Sequence, residues 1–155
     1  MLLSLDSRYS NGGGHVRRLR AGEQSLATIL VVEDNAVTRQ IVRLSLAAQG
    51  YEIIEAEDGA TAISKMADRH PDLVILDLGL PDIDGLTLAQ TLHSLPGRED
   101  VRIVAFSAFV DRLEEARSTN DVFIGFIPKP IEPSKLVSLV KRLVSTPGTR
   151  LLAGS

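Results

Sequence analysis

The chain contains no cysteine and no tryptophan, and aromatic side chains make up only 4% of its 155 residues. Without a thiol there can be no disulfide framework, no thiolate metal site and no sulfur nucleophile. A reducing compartment suits such a chain, and a cytoplasmic location is expected. Nowhere does an apolar run approach the ~18 residues of a membrane span. Met1 to Leu5 are too few apolar residues, and lack the leading positive charge, for a secretory signal, so no membrane association is expected. The three histidines, His15, His70 and His93, stand in unrelated segments, and no histidine and carboxylate constellation supports a metalloenzyme or a general-base hydrolase.

An excess of either charge is also missing: 17 Lys and Arg oppose 20 Asp and Glu, a formal net charge of −3. That balance hides a division. Residues 1–27 carry four Arg and two acids, residues 28–145 carry 12 basic and 18 acidic side chains, and residues 146–155 carry one Arg. An acidic body argues against direct nucleic-acid binding, which needs clustered Lys and Arg against the phosphates. With 44% hydrophobic residues the composition is that of a folded chain, and 155 residues allow one domain of ordinary size.

Residues 1–27, with a Gly triplet and no sustained apolar period, read as a flexible N-terminal extension, and residues 146–155 as a short C-terminal tail. The Arg17, Arg18 and Arg20 cluster reads as solvated, in preference to contact with an acidic surface. Between these ends, apolar runs alternate with helix-period segments. The β-branched run Ile29 to Val32 predicts a strand buried on both faces. Val37, Ile41, Leu44 and Ala48 then fall at helical spacing within 36–48, which Gly50 closes. Further strands are predicted at 51–56, 73–76, 101–106 and 123–127, and further helices at 58–69, 85–95, 110–119 and from Pro133 onward, where Leu136, Val137, Val140 and Leu143 form the apolar stripe. Asp84 reads as the cap of the third helix, because Asp82-Ile83-Asp84-Gly85 lacks the remaining ligands of a calcium loop. Five such units over residues 28–145 predict an α/β fold, a (βα)5 doubly wound parallel five-stranded sheet. In sheets of this kind ligands bind beyond the carboxyl ends of the strands.

The first strand runs into Glu33 and Asp34, the third into Asp77, the fourth into Ser107 and the fifth into Lys129. Taken singly, each has a plain structural reading: Asp34 as a turn or cap residue, Ser107 as the close of a strand, Lys129 as an exposed lysine, and nearby Phe126 as core packing. A parallel sheet brings the strand ends to one edge, and so gathers three carboxylates, a hydroxyl and an ammonium. Crowded carboxylates repel, and one lysine does not balance three. Oxygen-only ligands select a hard cation, and one or two carboxylates with several waters describe Mg2+ better than zinc. A metal ion and a lysine over a carboxylate suit phosphoryl transfer, with the carboxylate as the nucleophile that becomes an aspartyl phosphate.

The ordered set ILVVEDN at 29–35, LVILDLGLPDIDGL at 73–86, IVAFSA at 103–108 and FIPKP at 126–130 resembles the receiver domain of two-component response regulators. The resemblance covers residues 28 to about 145 and implies a flavodoxin-like strand order, 2-1-3-4-5. It implies that Asp77 is the phosphoacceptor, taking a phosphoryl group from a phosphohistidine on a sensor histidine kinase or a histidine phosphotransfer protein. Asp34 would bind Mg2+ directly alongside Asp77 and the backbone carbonyl of Gly79, and Glu33 would act through water. Lys129 would pair with one phosphoryl oxygen, the Ser107 hydroxyl would move to hydrogen-bond another, and Phe126 would swing inward after it. The Lys129-Pro130 bond is often cis in this family. Output is implied through the face of helix 4, strand 5 and helix 5, toward a downstream protein target or a second copy of the chain, with no catalysis beyond the protein's own phosphorylation and dephosphorylation. No output domain is expected after residue 145, since ten residues do not fold alone.

In the family two positions tune how fast water removes the phosphate, and in this chain they hold Gly79 and Phe109. Neither offers a polar group to orient water, which predicts that spontaneous loss is not fast. From the enzyme class, the alternative is a Mg2+-dependent aspartyl-phosphate phosphatase, but such hydrolases commonly carry a second Asp where Gly79 stands. A non-phosphorylated oligomerisation module is the other alternative, disfavoured because every site position remains chemically competent.

Overall fold

The computed structural model describes residues 26–119 and 122–145. The N-terminal extension and the C-terminal tail read from the sequence lie outside the described residues, apart from Leu26 and Ala27. Among the described residues, five strands, β1 (Thr28–Val32), β2 (Glu52–Ala56), β3 (Leu73–Asp77), β4 (Arg102–Ser107) and β5 (Phe123–Pro128), alternate with five helices. The helices are α1 (Ala36–Ala47), α2 (Gly59–Asp68), α3 (Gly85–His93), α4 (Val110–Thr119) and α5 (Pro133–Val144). The strands are parallel in the order β2-β1-β3-β4-β5, so the fold class expected from the sequence and the strand order implied by the resemblance are both present.

Both faces of the sheet are covered, which is why its central strands are apolar without interruption. Ile29, Val31, Leu73, Ile75, Val104 and Phe106 point to one face, where Val42 and Leu46 of α1 and Leu136 and Val140 of α5 pack on them. Their neighbours Leu30, Val32, Val74, Leu76, Ile103 and Ala105 point to the other, against α2, α3 and α4. Each side chain of this size removed from water contributes roughly 1.5–3 kcal/mol.

Helix starts are fixed by short polar side chains. Asn35 caps α1 by accepting from Thr38 N at 2.9 Å, and Asp58 caps α2 through Thr61 N at 2.8 Å. Asp84 caps α3, as expected, accepting from Leu86 N and Thr87 N. Gly50, at φ +99°, supplies the left-handed turn after α1. Gly85 allows α3 to begin against the loop after β3, since a Cβ there would lie 2.4 Å from Leu78 Cα.

The stripe that marks α1 in the sequence is not its buried face: Val37, Ile41 and Leu44 are 67%, 48% and 51% exposed, and Val42 and Leu46 are the residues that reach the core. Spacing identifies a helix, but the direction of its apolar side depends on how the chain leaves β1 and where the Asn35 cap starts the first turn.

Candidate functional site

Parallel register aligns the strand ends. Val32 pairs with Leu76, Asp77 with Phe106, and Ser107 with Pro128, so the residues that follow emerge along one edge. There Glu33, Asp34 and Asp77 each place one carboxylate oxygen, and the three oxygens lie within 4.8 Å of one another. Glu33 and Asp77 are buried at 1% and 5% exposure, whereas Asp34 is exposed. Because Asn35 caps α1, the Asp34 carboxylate is left at the cleft and is not used as the helix cap.

Lys129 Nζ stands 2.7 Å from Glu33 Oε1 and 3.5 Å from Asp77 Oδ2. Its ammonium also lies 4.8 Å from the centroid of the Phe106 ring, whose face favours a cation. The other oxygens are held by the backbone: Asn35 N donates to Glu33 Oε2 at 3.0 Å, and Gly79 N donates to Asp77 Oδ1 at 2.9 Å. Apart from its ion pair with Lys129, Glu33 Oε1 has no hydrogen-bond partner among the described residues. Burial pushes the Glu33 carboxyl above the usual glutamate range, Lys129 and the Asn35 N–H pull it back, and the charge of Asp77 adds to the rise.

The cleft over these groups has a volume of 550 Å³, and Asp34, Asp77, Gly79, Ser107, Phe109 and Lys129 all line it. The Ser107 hydroxyl, 3% exposed, is occupied by the following loop: it accepts from Phe109 N at 3.0 Å and donates to Phe109 O at 3.4 Å. Phe109 itself is 66% exposed at the rim. Phe126 lies outside the cleft, on β5, half-buried between the Phe123 ring at 6.1 Å and the Arg117 guanidinium 4.5 Å above its face. The Lys129-Pro130 peptide is cis.

Three oxygen donors with no nitrogen or sulfur, two of them buried and opposed by one ammonium, fit a hard divalent cation. Sequence reasoning missed three side chains that shape this edge. Arg39 donates to Glu33 O at 2.7 Å and pairs with Glu55. Asp82 accepts from Gly59 N and Ala60 N, tying the loop after β3 to the start of α2. Arg112, which also lines the cleft, bonds Asp84 and Leu78 O. A readable signal existed for the last of these, since a cation in the first turn of a helix opposes the helix dipole and invites a partner elsewhere.

The fold and this edge are those of a signalling module of the receiver type. The response regulator receiver domain family matches residues 29–141, and the chain belongs to that family. Its members are two-component signalling proteins and not conventional enzymes. The polar-differentiation response regulator DivK of Brucella ovis is 28% identical over 114 residues, covering 74% of this chain and 93% of DivK. The phosphate regulon regulator PhoB of Pseudomonas aeruginosa is 34% identical over 124 residues, covering 78% of this chain and 53% of that longer protein. Among solved structures, a CheY-like receiver domain from Methylobacillus flagellatus superposes with TM-score 0.70 at 29% identity, covering 77% of this chain and 99% of that one. The response regulator TrrA of Thermotoga maritima, solved in complex with Mg(2+)-BeF, matches at TM-score 0.68 and 30% identity, covering 76% of this chain and 99% of that one.

Proposed function

We propose that this chain accepts a phosphoryl group on Asp77 from a phosphohistidine of a sensor histidine kinase or histidine phosphotransfer protein. One observation carries the reading: a buried aspartate at a strand end shares its cleft with two further carboxylates and a lysine 3.5 Å away. In the transfer, a carboxylate oxygen of Asp77 bonds to phosphorus as the phosphorus–nitrogen bond breaks, and the electron pair stays on the imidazole. Gly79 N–H orients Asp77 Oδ1, and Lys129 supplies positive charge on the Oδ2 side for a phosphoryl oxygen. Asp34, Asp77 and the Gly79 carbonyl are the groups that would hold Mg2+ directly, with Glu33 acting through water. Bound there, the ion would neutralise charge developing on the phosphoryl oxygens.

A protein donor must reach this cleft, and apolar side chains stand exposed on both sides of it. Val37, Ile41 and Leu44 lie on α1, and Phe109 and Val110 at the start of α4. Ile41 and Lys129 share a 140 Å³ groove with Pro130 and Leu136, which joins the α1 surface to the site. We assign this rim to the phosphodonor protein. Output is assigned to the face of α4, β5 and α5: the Ser107 hydroxyl leaves the Phe109 backbone for the phosphoryl group, and Phe126 follows. That message goes to a downstream protein or a second copy of the chain. Spontaneous loss of the phosphate is not expected to be fast, because neither Gly79, two residues after Asp77, nor Phe109 carries a polar group to orient water. A half-life of seconds in Mg2+ buffer would overturn that expectation.

The reading is tested with a small acyl-phosphate donor, with and without Mg2+, followed by intact mass. Wild type should gain one phosphate and Asp77→Asn none, while Asp34→Ala should lose the metal dependence and most of the labelling. Equal labelling of Asp77→Asn would refute the assignment.

A further inference from the structure

We infer that Arg112 is a positioning residue, a latch that ties α4 to the loop after Asp77 and holds the unphosphorylated arrangement until it is released. The inference rests on the phosphoacceptor reading of Asp77. α4 has little apolar anchorage: of its ten residues, Leu113 and Ala116 are the buried apolar ones among those described. Its first turn is held instead by one guanidinium. Arg112 Nη2 donates to Leu78 O at 3.3 Å and to the Asp84 carboxylate, and Nη1 donates to Glu115 Oε1 at 2.7 Å. Leu78 directly follows Asp77, and Asp84 caps α3, so a single side chain joins α4 to both ends of that loop. The Asp84 carboxyl reflects the contact: burial alone would raise it, but Arg112 together with the Thr87 and Leu86 N–H groups holds it below the usual range.

The latch lies on the path that Ser107 must take. Its hydroxyl now exchanges hydrogen bonds with the backbone of Phe109, and Phe109 O accepts in turn from Arg112 N at 3.1 Å and Leu113 N at 3.3 Å. Moving the hydroxyl toward a phosphoryl group on Asp77 therefore disturbs the first turn of α4, which Arg112 fixes in place. The guanidinium and carboxylate are 30% and 46% exposed, so the pair is solvent-screened and its effect is modest. Weakening it should raise the fraction of molecules already in the competent arrangement, and apparent affinity for a phosphoryl mimic rises with that fraction.

The test is beryllofluoride binding at fixed Mg2+, followed through the amide shifts of Ala108 and Phe109, together with the thermal midpoint of each variant. Arg112→Ala, Arg112→Lys and Asp84→Asn should each bind about two- to fivefold more tightly than wild type. Lysine keeps the charge but not the forked geometry, and asparagine keeps the cap but not the charge. The Arg112→Ala, Asp84→Asn double variant should gain no more than Arg112→Ala alone, because that change already removes the contact that Asp84→Asn breaks. A merely structural loss would lower the midpoint without tightening binding. Unchanged or weaker binding by Arg112→Ala and Asp84→Asn overturns the latch. Weaker binding by Arg112→Ala with wild-type binding by Arg112→Lys also overturns it, and identifies a simple charge that attracts the anion. Failure of wild type to bind, or equal binding by Asp77→Asn, removes the phosphoacceptor reading and the latch with it.

Discussion

The two edges of the sheet use the same residue types for opposite ends. At the amino edge, charged groups are consumed by structure. Arg98, 8% exposed, donates to Met66 O and Ala67 O at the end of α2, and Arg102 donates to Leu143 O and Val144 O at the end of α5. Asp72 accepts from Thr28 N at 2.8 Å. These contacts satisfy carbonyls that a helix end leaves open, with positive charge where the dipole favours it. At the carboxyl edge three carboxylates gather around one ammonium, and Asp34 stands in the cleft. Paired charges there hold the fold together; crowded ones here fit a divalent cation.

Substitutions at the two edges should therefore separate stability from labelling. The largest effect is expected for Lys129→Ala, which strips the buried Glu33 carboxylate of its partner: about 3 kcal/mol lost in urea unfolding, with labelling abolished. Adding Glu33→Gln should restore much of the stability and none of the labelling. If Lys129→Ala unfolds at the wild-type urea midpoint, the ion pair is not a structural support. Next, Arg98→Ala should cost about 2 kcal/mol by leaving the α2 carbonyls unpaired, while labelling of Asp77 stays at the wild-type level. A loss of labelling there would break the distinction between the edges. In the opposite direction, Asp77→Asn should stabilise the fold by about 1 kcal/mol by relieving like charges, a shift that thermal unfolding resolves.

The smallest effect concerns acid. The Asp84 carboxyl lies below its ordinary value because, against the cost of burial, Arg112 and the Thr87 and Leu86 N–H groups favour its charged form. A depressed carboxyl contributes stability that is fully present above its unfolded value, about 3.9, and is lost as pH falls through the lower folded value. Asp84→Asn should therefore lower the thermal midpoint slightly near pH 7 and flatten its decline below about pH 4, so that the variant and the wild type converge in acid. A wild-type acid profile in that variant would show that the pair with Arg112 has no linkage to folding.

Much of this was legible in the sequence because it is encoded locally. Ile29 to Val32 and Leu73 to Leu76 announce buried parallel strands by their unbroken apolar character, and Asp84 announces a helix start. Glu33, Asp34, Asp77, Ser107 and Lys129 stood out as polar residues closing apolar runs, and the parallel register brings them to one cleft. The face of α1 was not legible in the same way. Val37, Ile41 and Leu44 are as regularly spaced as any core stripe, yet they meet solvent, because the sheet buries the side of the helix that carries Val42 and Leu46.

The sequence by itself determined the fold class, the order of the elements and the residues that meet at the strand ends, since periodicity and the polar close of each run are properties of neighbouring positions. Only the tertiary structure decided which face of α1 is left bare, that Asn35 and not Asp34 caps it, and where the guanidinium groups of Arg98, Arg102 and Arg112 terminate. Those contacts join backbone carbonyls and carboxylates 28 to 42 positions away, and the distance between two helix ends is set by the packing of the whole sheet.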